Sequence, residues 1–371
     1  MIQNYHKITK VLATSLGLSV EELVRSYDRA TSADMVAVCE LMCVGFGVVE
    51  NLSAEIIAWR YFNSSRNTSD IFVLRYKGKL IGAVGAEPIR VKVGNKEYEG
   101  ICAADIVVHP DHGKRGIGAW MNLHLQHKFP IVMAMGSNEN SDTMVRRLFR
   151  PMNCRNHFKM LFSVKNYLSI RGWPIFLIQL LSPAATVLLS FFRKPQLASI
   201  PPEYELHFND STEPLAEFFN NPAYHPRSDN MVLRSAEYCH WRYDLNPKSC
   251  FTVLQLHHLG SLVGYGVIKK NETEPLQDFQ LMDWDFLPDY RTETHLQILF
   301  SAVVNYAVEQ GAPSLYVMAS DQLSTDSLRK TGFSHRSLDD GFFLFAHEGI
   351  APELFDEKKW FLSFCDTDEA L

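Results

Sequence analysis

The sequence predicts an α/β (α+β) protein that contains two tandem copies of one domain, each a sheet flanked by helices. The string SAEIIAWRY at 53–61 returns as SAEYCHWRY at 235–243. In both places an apolar stretch, a glycine turn and a second apolar stretch follow. The chain has 371 residues, more than a single core usually holds. A repeat at this long period indicates that a whole domain has been duplicated.

Composition and charge bound the class of protein. The chain is 46% hydrophobic and 21% charged, as ordered globular proteins are, and its formal net charge is −6. An acidic balance argues against a nucleic-acid groove without excluding a local basic patch, so no nucleic-acid partner is expected. The seven cysteines form no CxxC pair, which predicts a reduced, cytoplasmic protein. The N-terminus has no apolar core of a signal peptide, and 1–27 is predicted as a helical extension.

The first copy is placed at 28–167. TSADMVAVCELMCVGF predicts an amphipathic helix whose apolar stripe carries Met35, Val38, Cys39 and Met42. The WRY string is predicted at the end of the next helix. Apolar runs at 71–76 and 80–86 predict a β-hairpin with Gly78 in its turn. DIVVHPD at 105–111 and IVMAMGSN at 131–138 predict two further strands.

The second copy is placed at 204–371 and repeats the same order of elements. DSTEPLAEFF predicts its first helix, and runs at 251–256 and 262–268 predict a hairpin around Gly260. DWDFLPD at 283–289 corresponds to DIVVHPD, and LYVMASDQ at 315–322 corresponds to IVMAMGSN. Both copies therefore predict the order β-α-β-β-β-α-β-α.

The copies differ at one chemically informative place. After the Pro-Asp pair, the first copy continues HGKRGIGAWMNLHLQHKF and the second continues YRTETHLQILFSAVVNYA, without the three glycines. A glycine-rich turn that opens a helix presents unpaired backbone N–H groups and the positive end of the helix dipole, which suits a pyrophosphate. Gly116 and Gly118 allow close approach of the backbone, and Lys114 and Arg115 add positive charge. The following helix is predicted to bury Ile117, Trp120, Met121 and Leu125.

The connector at 168–203 contains WPIFLIQLLSPAATVLLSFF, an uncharged stretch at 173–192. Pro174 and Pro183 are expected to break it into two short helices, and a helical hairpin packed on the protein is favoured. A peripheral membrane contact or an acyl-chain-binding element is the next alternative. A true membrane span is disfavoured because it would separate the two copies.

This arrangement resembles the GNAT acyltransferase superfamily over roughly 28–165 and 204–347. VVHPDHGKRGIGA matches the family's acyl-CoA signature of a strand, Val-x-Pro and Arg/Gln-x-x-Gly-x-Gly/Ala, except that Gly113 stands at the leading Arg/Gln. The resemblance implies two tandem GNAT-like domains, each with a mixed, mostly antiparallel sheet flanked by helices. It also implies acetyl-CoA or another acyl-CoA as cofactor.

The resemblance further implies which residues hold the cofactor. The pantetheine is expected between two splayed strands, against the backbone of Ile106, Val107 and Val108, with Asn138 or Asn140 reaching its amides. The pyrophosphate is expected on the loop and helix start formed by Gly113, Lys114, Arg115, Gly116, Ile117, Gly118 and Ala119. No metal site is expected.

The catalytic residues are less defined by the pattern. Relatives in the family often carry a tyrosine acid on the last helix, where this chain has Phe149 and, in the second copy, Leu328. The candidates for a general base or acid are Asp105, Glu87, His109 and His112. Asp105 has a counterpart in Asp283 of the copy that lacks the loop, which favours a structural role for it. The repeated Trp-Arg-Tyr is interpreted as core residues with a snorkelling arginine.

The sequence thus predicts an acyl-CoA-dependent acyltransferase, specifically an N-acetyltransferase, that acts on an amine of a small molecule or sugar. One alternative is a donor other than free CoA, either an acyl carrier protein or an aminoacyl-tRNA. The other alternative is a non-catalytic CoA-binding or scaffold protein, which the missing tyrosine favours.

Overall fold

A computed structural model describes residues 2–47, 53–62, 70–136, 141–170, 172–192, 197–227, 230–248, 250–270, 278–337 and 341–367. Its helices are α1 Ile2–Leu16, α2 Val20–Arg25, α3 Met35–Phe46, α4 Ala54–Ile57, α5 Ile117–Lys128, α6 Asp142–Leu148, α7 Val164–Ile170, α8 Ile175–Phe192, α9 Glu213–Phe219, α10 Ala236–Cys239, α11 Glu293–Glu309 and α12 Gln322–Thr331.

The strands of the first half of the chain are β1 Tyr27–Arg29, β2 Ile71–Tyr76, β3 Lys79–Val93, β4 Lys96–Val108, β5 Ile131–Met135, β6 Arg150–Met152 and β7 Asn156–Leu161. Those of the second half are β8 Tyr204–Asn209, β9 Asn230–Val232, β10 Phe251–His258, β11 Ser261–Lys269, β12 Phe279–Phe286, β13 Ser314–Ala319, β14 Ser334–Arg336, β15 Phe342–Ala346 and β16 Trp360–Phe361. The order predicted for each copy is confirmed.

Two sheets form the frame of the molecule. The first has the order β1-β2-β3-β4-β5-β15-β6. In addition, β9 pairs with β3, and β16 pairs with β9. The second has the order β14-β7-β13-β12-β11-β10-β8. Only β4 with β5, β12 with β13 and β16 with β9 pair in parallel among the described residues. The predicted fold class, two mixed and mostly antiparallel sheets flanked by helices, is confirmed.

The two halves of the chain exchange a strand. β7, from the first half, lies between β13 and β14 of the second sheet, and β15, from the second half, lies between β5 and β6 of the first. The largest hydrophobic cluster accordingly joins residues of both sheets, such as Met133, Phe158 and Leu344. The boundaries at 167 and 204 stay a prediction about the chain, but each sheet is completed by the other half.

The repeated Trp-Arg-Tyr string forms the contact between the halves. In each copy it lies in a π-helical turn, over Ala58–Phe62 and His240–Asp244. The Trp59 and Trp241 rings stack with centroids 5.3 Å apart. The indole N–H of Trp59 donates to the carbonyl of Trp241 at 2.9 Å, and that of Trp241 to the carbonyl of Trp59 at 3.5 Å. This reciprocal contact places a local twofold relation between the two copies.

Trp59, Tyr61 and Tyr243 are buried, as predicted for core residues, but the prediction of a snorkelling arginine was wrong. Arg60 and Arg242 do not snorkel, because they are only 1% and 2% exposed and lie among polar groups inside the protein. A buried guanidinium needs buried hydrogen-bond acceptors, and these come from distant strands that the local pattern does not reveal.

The predicted hairpins are confirmed, with matching turns. Lys77 and Gly78 have φ of 50° and 76°, and Leu259 and Gly260 have φ of 50° and 80°. Two consecutive residues in the left-handed region are typical of a type I′ turn, which follows the natural twist of paired strands. The turns therefore tie β2 to β3 and β10 to β11 in the same way in both copies.

Helix α5 packs as predicted, with Ile117, Trp120, Met121 and Leu125 buried. The N-terminal helix α1 packs against α5. The indole N–H of Trp120 donates to Thr9 Oγ1 at 3.0 Å, and the Tyr5 hydroxyl lies 2.9 Å from His124 Nδ1. The N-terminal helices therefore support the helix that follows the glycine loop.

The connector differs from the prediction. The helix α8 runs unbroken through Pro183, although α7 and α8 do pack against each other as a hairpin. A proline removes one backbone hydrogen bond without obliging a helix to end when the flanking turns are maintained. Ile175, Phe176 and Leu180 are 74%, 68% and 72% exposed, whereas Ile178 and Ser182 are buried, so this part of α8 is packed on the protein along one face only. None of the helices within the described ranges has the length and apolar character needed to cross a membrane.

Candidate functional site

The first sheet opens between β4 and β5. The two strands pair only where Ile101 to Ala103 face Val132 to Ala134, although β4 continues to Val108. On its other side the end of β4 remains paired with β3, through Val107 and Val108. Among the described residues, the last residues of β4 therefore present one backbone edge to the gap; that Ile106 to Val108 bind pantetheine stays a prediction.

A β-bulge at the start of this gap sets which way the side chains point. Gly85 pairs with Ala104 and Ala83 pairs with Val107, so Asp105 and Ile106 together face Val84. Asp105 has φ of 47°, a backbone conformation that a residue with a Cβ adopts only when its surroundings hold it there. After the bulge Ile106 and Val108 contact the cluster beneath α5, and Val107 contacts the cluster beneath α3.

The glycine loop lies at the far end of the gap. Residues Pro110–Arg115 form a 3-10 turn, Gly116 follows with φ of 73°, and α5 begins at Ile117. Gly116 has no side chain that could cap the helix, so the first N–H groups of α5 keep their capacity to bind an anion. A Cβ on Gly118 would lie 3.7–3.8 Å from Val108, Ile106 and Met144, which shows that Gly118 faces the gap.

The charged residues of the loop are exposed. Lys114 and Arg115 both reach solvent, and the Arg115 guanidinium donates to the carbonyl of Ser15 at 3.3 Å. His109 accepts a hydrogen bond from the Asp111 N–H at 3.3 Å. Burial, with help from Arg115 and His109, lowers the pKa of His112. Asn138 and Asn140, predicted at the pantetheine, lie outside the described residues.

Two of the four catalytic candidates are brought together by one arginine. Arg60 Nε donates to Glu87, and Arg60 Nη1 donates to Asp105 Oδ2 at 2.9 Å. The Tyr61 hydroxyl also donates to Asp105, at 2.5 Å. The two residues after the repeated tryptophan therefore hold the bulge of β4. His109 and His112 belong to the loop that follows β4 and do not join this cluster.

A cavity of about 170 Å³ lies between the two halves, on the Arg60 side of the first sheet. The first half contributes Glu87, Cys102 and Met133. Cys102 and Met133 form one of the last pairs before β4 and β5 separate, so the cavity reaches the point where the gap begins. Asp105 does not line this cavity, whereas Glu87 does.

The second half contributes residues that the sequence analysis missed, principally Arg234, Tyr238, Arg242 and Asp366. Arg234 Nη2 donates to Asp366 Oδ2 at 2.7 Å, and Arg234 Nε donates to Asp283 at 3.2 Å. Burial raises the pKa of Asp366, against the opposing effect of Arg234. Arg242 belongs to the repeated string, but no local signal places Arg234 or Asp366 beside it.

The corresponding gap of the second sheet is filled by the chain itself. β12 pairs with β13 only up to Leu281 and Val317. Beyond that point the Leu362 N–H donates to Ser320 Oγ at 2.7 Å, and Ser363 Oγ donates to Asp283 at 3.0 Å. The segment Trp360 to Thr367 is buried throughout and thus bridges the two strands. This copy has neither the glycine loop nor an open gap.

The positions where a tyrosine acid would be expected are apolar and buried. Phe149 is 4% exposed and Leu328 is completely buried. Neither side chain can donate a proton. Near the gap, the partly buried side chains of Ile106 and Met144 pack against the cluster beneath α5.

Comparison with known proteins finds similarity to one family and to several solved structures. Residues 26–128 match the family described as Acetyltransferase (GNAT) domain. No curated protein matches the sequence. A GCN5-related N-acetyltransferase from Anabaena variabilis is similar in structure, with a TM-score of 0.58 and 12% identity over 86% of this chain and 71% of that one.

Two further solved structures share the fold over 86% of this chain at 12% identity, each with a TM-score of 0.56. One is a conserved protein of Enterococcus faecalis described as a probable N-acyltransferase, covered over 71% of its length. The other is the N-myristoyltransferase of Saccharomyces cerevisiae with bound myristoyl-CoA, covered over 82%. At this identity the likeness concerns the fold alone.

Proposed function

We propose that this chain, an acyltransferase that carries a GNAT domain at residues 26–128, transfers an acyl group, in the simplest case acetyl, from acyl-CoA to an amine of a small molecule or sugar. The observation that carries the proposal is the continuity of the site. An open gap beside β4 has the glycine loop at one end and the cavity between the halves at the other. A thioester that enters from the loop end and an amine that enters from the cavity end can therefore meet in the gap beside β4.

The donor half of the site fits an acyl-CoA. Acyl-CoA supplies an acyl group activated as a thioester. The uncapped start of α5 and Arg115 would hold its pyrophosphate, and the unpaired edge of β4 would bond its pantetheine amides as an added strand would. Gly118 is suited to this task because any larger side chain would extend between Ile106 and Met144, into the gap.

Glu87 is the proposed general base. It lines the cavity, whereas Asp105 is held by Arg60 and Tyr61 on the wall beside it. Glu87 accepts a hydrogen bond from Arg60 Nε, which holds its carboxylate in place at the cavity. Glu87 would take a proton from the acceptor ammonium, and the resulting amine would attack the acyl carbon.

The remaining proton transfer needs no tyrosine acid. As the nitrogen–carbon bond forms the carbon–sulfur bond breaks, and the second amine proton ends on the released thiolate. A thiol has a pKa of about 8.5, so a thiolate is a competent leaving group near neutral pH. Phe149 and Leu328 are consistent with this route. Asp105 would act as a positioning residue that orients Arg60.

Calorimetric titration with CoA and acetyl-CoA tests the donor site first. One molecule is expected to bind per chain, because only the first copy has the loop and an open gap. A panel of amines and amino sugars, assayed by thiol release, then tests turnover. Binding without any turnover would favour the alternative of a non-catalytic CoA-binding or scaffold protein. The absence of binding would contradict the proposal and favour a carrier-protein or tRNA donor.

We also propose a peripheral membrane contact through α8. Its described N-terminal part exposes Ile175, Phe176 and Leu180, Trp173 is exposed just before it, and 173–192 contains no charged residue. An exposed apolar helix of this kind favours the interfacial layer of a bilayer. Liposome flotation tests this: the chain is expected to float with vesicles, and replacement of Phe176 and Leu180 by glutamate should abolish flotation. A chain that stays at the bottom of the gradient would contradict the contact.

A further inference from the structure

The cavity between the halves is lined by charged side chains, most of which are buried or already paired. Four of these side chains are at most 2% exposed, namely those of Asp70, Arg234, Arg242 and Asp366. The Arg90 side chain is 53% exposed, and its guanidinium pairs with the carboxylate of Glu97. A buried charge is held by partners inside the protein, and the Arg90 charge is balanced at the surface. These five groups therefore offer little charge to a ligand.

Two other carboxylates of the cavity remain accessible. Glu87 accepts from Arg60 through Oε1. Its Oε2 lies 3.8 Å from Arg242 Nη1, beyond hydrogen-bond distance, and keeps accessible surface. Glu237 is exposed and forms no ion pair within the described part of the chain. Hydrogen bonds from its own backbone N–H and from Ser235 lower the pKa of Glu237, so its carboxylate is ionised at neutral pH. The cavity thus presents two acidic groups, one mostly buried and one exposed.

Aromatic rings accompany the exposed carboxylate. Glu237 and Trp241 lie four residues apart along α10 and the π-helical turn that follows it, and both line the cavity together with Tyr238. The Tyr238 and Trp241 rings are partly exposed, with centroids 5.8 Å apart. Aromatic rings pack against methylene groups and attract cations through their faces. This wall therefore suits an aliphatic chain that carries a positive charge.

The size of the cavity limits the length of that chain. Its volume of about 170 Å³ corresponds to roughly six water-sized units of about 30 Å³ each. Apolar residues line much of the remaining wall, including Ile89, Met133 and Val232. A cavity of this size with an acidic group at each of two places fits a short chain of methylene groups that has an ammonium at both ends.

We infer that the acceptor is a short linear diamine, with one ammonium at Glu87 and the other at Glu237. The inference rests on the proposed acyl transfer and adds the acceptor class. Glu87 takes one proton from the ammonium at its end, the nitrogen–carbon bond forms as the carbon–sulfur bond breaks, and the second proton of that nitrogen ends on the released thiolate. The distal ammonium stays protonated beside Glu237. The product carries one positive charge less, which favours its release.

The test compares diamines with amines of the same length that carry one charge. The full chain is assayed by thiol release with acetyl-CoA, using the diamines from 1,3-diaminopropane to 1,6-diaminohexane and, for each, the alkylamine in which a methyl group replaces one ammonium. At least one diamine is expected to reach a kcat/KM fivefold or more above that of its alkylamine, as an ion pair with an exposed carboxylate allows. Equal use of both would overturn the inference. So would a higher kcat/KM for glucosamine, which carries one charge, than for every diamine.

The same assay distinguishes this inference from the function on which it rests. Calorimetric binding of acetyl-CoA without turnover of any diamine would overturn the inference. Absence of acetyl-CoA binding would overturn the proposed function instead.

Substitution of Glu237 tests the distal contact. Glu237→Gln keeps the size of the side chain and removes its charge, so the ratio of diamine to alkylamine kcat/KM is expected to fall to about one through a higher KM for the diamine. Glu237→Lys is expected to reverse the preference, from 1,5-diaminopentane toward 5-aminopentanoate, in which a carboxylate replaces the second ammonium. Circular dichroism checks that both variants fold. Folded variants that keep the ratios of the parent chain would overturn the assignment of Glu237.

The first copy supplies the matched control, Glu55→Gln. Glu55 occupies the same place in the repeated string, two residues after a serine that caps its helix, and it is exposed. It does not line the cavity. Its replacement removes an equivalent charge and should leave the ratio of diamine to alkylamine as in the parent chain. A fall of that ratio in Glu55→Gln equal to the fall in Glu237→Gln would overturn the contact, because it would show a general effect of net charge.

Discussion

At the scale of single residues, Arg60 positions the two acidic candidates, Glu87 and Asp105. It binds Glu87 on the cavity wall and Asp105 at the bulge. Of these two carboxylates, Glu87 lines the cavity and Asp105 does not. The Asp105 counterpart, Asp283, is likewise bound by an arginine and a tyrosine, Arg234 and Tyr265. This common arrangement supports a positioning role for the aspartate in both copies.

Replacement of Glu87 by glutamine is therefore expected to lower kcat by roughly 10²- to 10⁴-fold, because the general base is lost while the shape is kept. The Kd for acetyl-CoA, measured by calorimetry, should change little. Asp105→Asn serves as the comparison and should lower kcat less, since it loosens Arg60 without removing the base. Full activity of Glu87→Gln together with an inactive Asp105→Asn would assign the base to Asp105. Full activity of both would direct attention to His109 and His112.

His124 predicts an acid-sensitive contact between α1 and α5. Burial lowers its pKa from 6.5 to about 4, and its Nδ1 lies at 2.9 Å from the Tyr5 hydroxyl. The unfolded chain therefore binds more protons between pH 6.5 and pH 4, and stability falls as the pH is lowered through that range. The loss amounts to at most roughly 3 kcal/mol, taking 1.36 kcal/mol for each pKa unit. Below pH 4 both states are protonated and this contribution stops changing.

Urea unfolding at pH 7 and pH 4.5 measures this effect, with His124→Asn as the variant. Asparagine can still accept a hydrogen bond but does not titrate, so the variant should lose less stability on acidification than the parent chain. The same pH dependence in both proteins would show that other groups are responsible.

At the scale of elements, the proposed donor site consists of the glycine loop and the end of β4. Gly118→Trp is expected to weaken acetyl-CoA binding at least 100-fold, because the indole would occupy the gap beside Val108 and Met144. Gly118→Ala should weaken it only slightly, since the added methyl lies at ordinary contact distance. Calorimetry gives both affinities, and circular dichroism checks the fold. An unchanged affinity in a folded Gly118→Trp variant would remove the loop from the donor site.

At the scale of the whole molecule, the exchanged strands make each half depend on the other. All residues of β15 except the partly exposed Ala346 are buried in the first sheet, where the strand separates β5 from β6. A fragment of residues 1–196 would leave the edge of β5 unpaired, and unpaired apolar edges promote aggregation. This fragment is expected to be insoluble when expressed alone and to become soluble when co-expressed with residues 197–371. Size-exclusion chromatography and circular dichroism decide this. A folded, monomeric fragment 1–196 that binds acetyl-CoA would contradict it.

Patterns of short range were sufficient for much of the site. Alternation and turn residues predicted β2, β3, β10 and β11, and the repeated string revealed the duplication. The glycine loop was predicted because Gly116 and Gly118, placed just before an apolar helix, are typical of a turn that exposes the backbone N–H groups of the helix start. The break at Pro183 was predicted wrongly, since a proline's effect depends on what supports the flanking turns.

The sequence by itself determined the order of elements, the repeat of one domain and the asymmetry between a copy with a glycine loop and a copy without one. These depend on backbone conformation and on periodic burial, which neighbouring residues specify. Only the tertiary structure decided the exchange of β7 and β15, the filling of the second gap by residues 360–367, and the cavity in which Glu87 meets Arg242 and Asp366. These features join residues that are tens to hundreds of positions apart in the chain, and pairing at such distances depends on the packing of whole sheets, which no local pattern encodes.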